Sequence, residues 1–433
     1  MHNLKELFRH GIVWLLTLEA KLVLKKYRPK IIAVTGSVGK TSAKDAIYTA
    51  LSSSFFVRRS EKSFNSDIGV PLTVLGVPNG WSNLFQWMRN LVDGVSLIIL
   101  NAPYPKWLII EVGADRPGDI TKSLAWLKPD VVVATRFPDI SVHVEFYASP
   151  EEVIKEELAP AGWLEEGGVF VGNADDEHVR SATTKNGVER ITFGFGDDAE
   201  LKASSFHPTE KDGMPTGVSF TVTYQGDQGA VFIPDVAGRS HVYSVLAGIG
   251  VALGVGVPLK DACLTFQKHE PPSGRMRLIP GIRGSVIIDD TYNASPVATE
   301  EALSALSDIP RTGRRIAVLA DMLELGSFSV DEHRRIGALV PQSADTLVTV
   351  GVRTKNVAEG AREAGMAENT ILECERGADA GVALVSMVQP GDVILVKGSQ
   401  SMRMERIVKS LMLEPERAKD FLVRQDAEWL SRG

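Results

Sequence analysis

Gly36-Ser37-Val38-Gly39-Lys40-Thr41-Ser42 is the stretch whose residue types and spacing can do the clearest chemistry. An apolar run, Ile31-Ile32-Ala33-Val34, leads in, and a helix-like segment, Ala43 to Leu51, leads out. Strand, glycine loop, Gly-Lys-Thr and helix, in that order, make a phosphate-binding loop. The glycines let backbone N–H groups close around phosphate oxygens, and the start of the helix adds partial positive charge. Lys40 supplies a full charge, and the Thr41 hydroxyl can ligate Mg²⁺. The commoner form of this loop has a glycine where Val34 stands, so the pattern here is the shorter Thr-Gly-x-x-Gly-Lys-Thr.

A second chemical position closes the run Lys106-Trp107-Leu108-Ile109-Ile110-Glu111-Val112. Parallel sheets present ligands at the carboxyl ends of their strands, so Glu111 is placed to bind Mg²⁺ directly or through water. A further strand, Asp130 to Thr135, precedes Ser141-Val142-His143, where His143 is placed to reach a second metal. Asn65 and Ser66 sit in a polar turn ahead of another apolar run. In the second half, Arg275 follows a Pro/Gly hinge at 270–274, and Asp290-Thr291-Tyr292-Asn293 follows a strand, Val286 to Asp289. Asp321 and Glu324 follow the strand Arg315 to Leu319, and Lys397 and Ser399 follow Val393 to Val396.

The elements that must position these residues belong to a chain of 433 residues, enough for two or three domains. Its apolar content of 44% and charged content of 23% are those of a globular protein. The net charge of −7, with both signs mixed, offers no basic face to nucleic acid. Cys263 and Cys374 stand far apart and read as reduced thiols of a cytoplasmic protein. His2 to Lys26 predicts an amphipathic helix, with Leu4, Phe8, Ile12, Leu15 and Leu22 on one face. Its uncharged run is far short of the ~20 residues a membrane span needs. Docking on its own domain and peripheral membrane contact of residues 1–28 both remain open, with docking favoured. Leu84 to Val92 predicts a second amphipathic helix, for which packing against the core is preferred. Ile191 to about Pro234 alternates in the manner of short antiparallel strands, and Ser240 to Val255 returns to a helical pattern.

The expected fold is α/β. A P-loop central domain, residues 30–273, carries a mostly parallel sheet with a small antiparallel part. A Rossmann-like C-terminal α/β domain follows over 274–433, and residues 1–29 form the N-terminal helix. Two sheets meeting across a cleft suit a two-substrate reaction driven by ATP.

Six stretches in order resemble the Mur ligase family: TGSVGKTS, FNSDIGVPLTVL, EVGADRPGDI, DDTYNASP, DMLELG with His333, and VKGS. The resemblance covers about residues 30–433 and is nearest the branch that adds D-alanyl-D-alanine to a UDP-N-acetylmuramoyl-tripeptide. It implies an ATP- and Mg²⁺-dependent amide ligase of cell-wall precursors that activates a carboxylate as an acyl phosphate for capture by an amine. It implies that Gly36–Ser42 hold the triphosphate, with Lys40 on its β/γ end, Thr41 and Glu111 on Mg²⁺, and His143 on a second metal. Arg275, Asp290, Tyr292 and Asn293 then meet the nucleotide from the C-terminal domain. Asn65, Ser66, Asp321, Glu324, Lys397 and Ser399 fall on the substrate side. The implied partners are a UDP-muramoyl-peptide-like carboxylate and a D-Ala-D-Ala-like amine, met by a cytoplasmic monomer.

Three departures stand out. Only about 30 residues precede the phosphate loop, where such ligases carry a UDP-sugar-holding domain. The family's carbamylated lysine falls on Glu157, which could supply a carboxylate without CO₂. Its His-Asn-x-x-Asn reads Ser240-His241-Val242-Tyr243-Ser244. Two other readings therefore stay open: a related ligase for another amino acid or γ-linked peptide, and a nucleotide-binding scaffold whose catalysis has decayed.

Overall fold

A computed structural model describes residues 2–60, 67–81, 83–114, 116–139 and 144–430. Helix α1 (His2–Tyr27) ends at Arg28-Pro29, and β1 (Lys30–Thr35) begins at once. The β-branched and aliphatic side chains of β1 are buried from Ile31 onward, which makes it a central strand. Next come α2 (Lys40–Ser52), β2 (Val57–Arg59), α3 (Gly69–Leu75), α4 (Leu84–Ile99), β3 (Trp107–Glu111), α5 (Asp119–Leu127), β4 (Val131–Ala134) and α6 (Pro150–Leu158). The first unit closes with β5 (Val169–Asn173), α7 (Glu177–Arg180), β6 (Glu189–Gly194), β7 (Leu201–Lys211), β8 (Met214–Tyr224), β9 (Asp227–Pro234), α8 (Ser240–Gly254) and α9 (Leu259–Thr265).

These strands form one sheet in the order β2-β3-β1-β4-β5-β6-β7-β8-β9. Pairing is parallel from β2 through β7 and antiparallel between β7, β8 and β9. The antiparallel part is thus smaller than the alternation over 191–234 suggests, because β6 joins the parallel stack beside β5. Its strands are also long, with β7 and β8 spanning 11 residues each. Helices α2, α8 and α9 cover one face of the sheet, and α1, α3 and α4 the other. Helix α8 crosses α2 at Gly248, where an added Cβ would stand 2.8 Å from the Ala46 carbonyl oxygen.

The second unit runs β10 (Arg277–Pro280), β11 (Val286–Asp290), α10 (Pro296–Asp308), β12 (Arg315–Ala320), α11 (Ser329–Ser343), β13 (Thr346–Val350), α12 (Lys355–Glu363), β14 (Ile371–Cys374), α13 (Gly377–Met387), β15 (Val393–Lys397) and α14 (Glu405–Leu411). Its sheet has the order β10-β11-β15-β12-β13-β14, parallel except for β10. The insertion of β15 between β11 and β12 brings Asp290, Asp321 and Lys397 to neighbouring strand ends, the edge where such sheets hold ligands.

The 270–275 junction is no free linker. Gly274 N–H donates to Asp289 (3.1 Å), and Tyr292 N–H donates to the Gly274 carbonyl (3.1 Å). Just beyond, Ala237 N–H donates to Met276 O (2.9 Å) and Leu278 N–H to Asp235 O (2.9 Å), tying the two units backbone to backbone.

Candidate active site

Register places the first site residues. Val34 of β1 pairs with Glu111 at the end of β3, so that carboxylate stands level with the start of the glycine loop. The loop turns on Gly36 (φ 130°) and Gly39 (φ 89°), conformations that disfavour a side chain. At Gly36 space also forbids one, since a Cβ would come within 2.0 Å of Thr135 Oγ1. The end of β4 holds the loop's outer edge. Ser37 and Val38 N–H donate to Arg136 O (2.9 and 3.2 Å), and the Thr135 hydroxyl meets Val38 O at 2.7 Å.

Glu157, the last turn of α6, points into this loop. It is buried, accepts a hydrogen bond from the Ser37 hydroxyl and faces the Lys40 ammonium at 3.4 Å. Lys40 also donates to Gly36 O. The residue standing where the resemblance implies a carbamylated lysine therefore does place a carboxylate beside the phosphate loop.

On the other side of Lys40, Thr41 Oγ1 lies 3.2 and 3.3 Å from the two oxygens of Glu111. Buried Lys44 stands 4.0 Å from Glu111, donates to Ser60 O at 2.9 Å, and lies 3.6 Å from Asp45. Arg59 pairs with Asp45 at 2.6 Å and lies over the Tyr48 ring. The hydroxyl and carboxylate at Thr41 and Glu111 are hard oxygen donors, the type Mg²⁺ takes alongside phosphate oxygens and water. They fit such an ion. Among the described residues no group of three or more His, Cys, Asp or Glu side chains is placed to hold a metal ion. His143, Asn65 and Ser66 lie outside the described residues.

An open cleft of about 1700 Å³ runs between the two units. Ser37, Val38, Gly39, Lys40, Thr41 and Glu111 line one wall. Arg275, Tyr292, Asn293, Glu324 and Ser399 line the other. The Arg275 guanidinium sits 4.1 Å above the Tyr292 ring, and its Nε is buried with no hydrogen-bond partner among the described residues. Ser399 Oγ accepts from Leu323 N–H at 2.9 Å.

Other expected residues stand behind the wall. Gly36, Ser42, Glu157, Asp290, Asp321 and Lys397 do not line the cleft. Lys397 is buried and pairs with Asp290 at 2.5 Å while donating to Asn293 O at 3.1 Å, so it braces the 290–293 loop. Asp321 accepts from the N–H groups of Arg353 (2.9 Å) and Thr354 (3.0 Å), bracing the turn after β13. His333 Nε2 accepts from Met322 N–H at 3.0 Å, and burial lowers its pKa.

Sequence reasoning missed several residues here. Arg59, Arg116, Asn79 and Trp81 line the cleft. Arg424 reaches back from the C-terminal segment to Thr291 O (3.1 Å), Tyr292 O (2.5 Å) and Glu405 (3.0 Å). No motif marks Arg424, although an arginine in the chain's final apolar stretch, Phe421-Leu422-Val423-Arg424, was the available signal.

Behind the loop a small hollow of about 30 Å³ is bounded by Val38, Gly39, Asn173, Tyr243, Ser244 and Glu301. Arg136 spans from the loop's edge to pair with Glu301 on α10, joining the two units. Burial raises the Glu301 carboxyl, and Arg136 opposes that rise. His241, at the start of α8, donates through Nε2 to Arg275 O at 2.9 Å and is pushed down to about 4 by burial, so it stays neutral. Tyr243 donates to Asp175 at 2.8 Å, and its hydroxyl pKa is raised, first by burial.

Residues 93–252 match the Mur ligase middle domain, and residues 274–400 match the Mur ligase glutamate ligase domain. The UDP-N-acetylmuramoyl-tripeptide–D-alanyl-D-alanine ligase of Bacillus subtilis is 28% identical over 397 residues, 92% of this chain and 79% of that protein. The Escherichia coli protein of the same name is 26% identical over 398 residues, 90% of this chain and 79% of that one. Among solved structures, MurF from Acinetobacter baumannii superposes with a TM-score of 0.74 at 23% identity, covering 91% of this chain and 79% of that one. MurF from Thermotoga maritima in complex with ADP gives 0.74 at 20% identity, covering 94% and 84%.

Proposed function

We propose that this chain, which belongs to the Mur ligase family, is an ATP- and Mg²⁺-dependent ligase that joins the amine of a D-Ala-D-Ala-like dipeptide to a UDP-muramoyl-peptide-like carboxylate. One observation carries the reading. Lys40, Thr41 and Glu111 face Arg275 and Asn293 across a single cleft, as a reaction between a nucleotide and a second substrate requires.

In this reading the loop's N–H groups and Lys40 hold the terminal phosphates, with Lys40 turning from Glu157 to the phosphate oxygens. Thr41 and Glu111 hold Mg²⁺, which when bound screens the charge of the transferred phosphoryl group. Glu157 supplies a fixed carboxylate beside the loop and holds Lys40 until the nucleotide arrives. Arg275 and Asn293 close on the nucleotide from the far wall, held by the Asp290–Lys397 pair behind them. Glu324 and Ser399 border the space left for the amine. The chain's own contribution is positioning and charge compensation, while the carboxylate oxygen takes the phosphoryl group and the amine later displaces phosphate. The same reading has the chain act as a cytoplasmic monomer, with residues 1–28 touching the inner face of the membrane.

The test is ADP and phosphate release with UDP-linked muramoyl-tripeptide and D-alanyl-D-alanine, alongside hydroxylamine trapping of the activated acid. Turnover that needs both substrates, with a trapped hydroxamate, supports the reading. ATP binding without turnover or trapping on any muropeptide acceptor overturns it. The altered Ser240-His241-Val242-Tyr243-Ser244 segment favours a second reading, a ligase for a different amine or acid. A screen of amines and carboxylates in the same assay separates the two.

A further inference from the structure

Helices α1 and α4 pack together, and each leaves its outer face bare. The seam between them is tight. Lys26 Nζ donates to Leu97 O (3.0 Å) and Ile98 O (3.1 Å), and the Tyr27 hydroxyl donates to Leu97 O (3.0 Å). Glu19 is buried against Gly94, where an added Cβ would come within 2.1 Å of Glu19 Oε2. Inward, Ile12, Leu16, Ala20 and Val23 of α1 and Trp87 of α4 join the domain core.

Outward the picture reverses. Ten of the twenty-one exposed large apolar side chains among the described residues lie on these two helices. On α4 the bare positions are Phe85, Met88, Val92, Val95 and Ile99, a 3-4-3-4 spacing that makes one continuous stripe. Phe85 is 79% exposed and Ile99 73%. On α1, Trp14 is 65% exposed, and Leu18 and Leu22 continue its stripe. A surface this apolar on a monomer marks a docking site. The expected packing of the second amphipathic helix therefore holds only for its inner face.

Charge decides what docks. Residues 1–30 hold seven basic residues and two acidic ones, in a chain whose net charge is −7. One of the two acids, Glu19, is buried in the seam. Lys21 and Lys25 on α1, and Arg28 just past its end, are exposed beside the apolar stripe. An isologous dimer would turn this basic edge on its own copy, and protein interfaces are depleted in lysine. An apolar stripe with aromatic residues and a lysine edge is instead the make-up of a helix lying in a lipid interface.

We propose that the joint outer face of α1 and α4 docks on an anionic phospholipid bilayer surface, with no segment crossing it. Among the described residues no helix is long and apolar enough to cross a membrane. The stripe on α4 begins just past Trp81, which itself lines the cleft, so the docked face lies beside the cleft's lip. The proposal extends the membrane contact of residues 1–28 named above to a two-helix surface, and it does not depend on the ligase activity.

The experiment is flotation of the full chain with phosphatidylcholine vesicles, with and without phosphatidylglycerol, at low and high salt. The full chain is expected to float with the anionic vesicles and to be released by salt. Phe85→Ser with Ile99→Ser should cut partitioning at least tenfold, and Lys21→Glu with Lys25→Glu should cut it roughly fivefold per lysine on anionic vesicles. All four positions are exposed, so melting temperatures should stay unchanged, which shows that the variants fold. Absence of flotation at either composition overturns the proposal, as does flotation that the variants leave intact. A dimer in light scattering that Phe85→Ser with Ile99→Ser dissolves also overturns it, assigning the face to a second copy. Vesicle binding is read without substrate, so it can fail while turnover succeeds, and the reverse.

Discussion

Replacing Glu157 with glutamine keeps the side chain's shape beneath Ser37 but removes the charge that faces Lys40 at 3.4 Å. With an effective dielectric constant of about 20, opposite charges at that spacing attract by about 5 kcal/mol. Both groups are largely buried, at 14% and 6% side-chain exposure, and their desolvation takes back much of that attraction. Lys40 also keeps Gly36 O and reaches the water of the cleft, so it is not stranded by the change. The expected net loss is ~1–3 kcal/mol, which lowers the melting temperature by ~2–4 °C per kcal/mol for a unit of this size. The loss should shrink when a nucleotide is bound, because the phosphates then compensate Lys40. Turnover should fall roughly 100-fold, the size of loss that follows removal of one preorganised polar group from a catalytic site. Calorimetry with and without ADP and a phosphate-release assay read both numbers. Glu157→Lys makes a sharper comparison: its activity should depend on added bicarbonate, while that of the parent chain does not. A Glu157→Gln protein with parental melting and turnover would refute the reasoning.

Arg424→Ala removes the brace on Thr291 O and Tyr292 O and leaves Glu405 to Arg403 alone, at 2.6 Å. It should cost about 2–4 kcal/mol and expose the C-terminal segment to limited proteolysis, and unchanged cleavage would count against that role. Gly36→Ala forces a Cβ to within 2.0 Å of Thr135 Oγ1 and should abolish ADP binding, so retained affinity in titration calorimetry would contradict the loop geometry. The share of the stability that rests on two buried histidines should fall on acidification. Burial pushes His241 down to about 4 and His269 down to about 3, so below about pH 6.5 the unfolded chain takes up protons that the folded chain refuses. That stabilisation is complete above about pH 6.5 and is lost as the pH drops towards 4 and below. Asp289, raised to about 6, and Glu19, raised to about 7, both by burial, work in the opposite sense, losing their contributions as the pH rises through those values, and the buried Glu301 carboxyl, also raised, does the same. Replacing His241 and His269 with glutamine isolates their share: the gap in melting temperature between variant and parent should change between pH 7.5 and 4.5, and a gap independent of pH would show that the histidines are not held neutral.

The features legible in the sequence were those that rest on short-range patterns. The glycine loop, the buried run ending in Glu111 and the strand leading up to Asp290 each announce themselves by neighbours a few residues away, and register then sets Val34 beside Glu111. Pairings made through space left no such trace. Lys397 stands on the substrate side by resemblance, yet its partner Asp290 lies more than a hundred residues earlier and fixes it behind the wall. Asp321 likewise spends its carboxylate on a turn that begins some thirty residues later. Short strands also escaped notice. β2 has three residues and β10 four, too few for periodicity to register, and both form edges of their sheets. For α4 the amphipathic pattern was plain, but a stripe facing solvent and a stripe facing a core look identical in sequence; only the structure shows Trp87, Asn90 and Gly94 turned inward and Phe85 outward.

Arg136 serves two structures at once. Its carbonyl receives the N–H groups of Ser37 and Val38, while its guanidinium grips Glu301 on the far unit. A single residue is thus both a strut for the glycine loop and a latch across the divide. Anything that parts the two units must tug on the strut, and anything that reshapes the loop must loosen the latch. The shape of the glycine loop and the spacing of the two units are thereby tied through one residue.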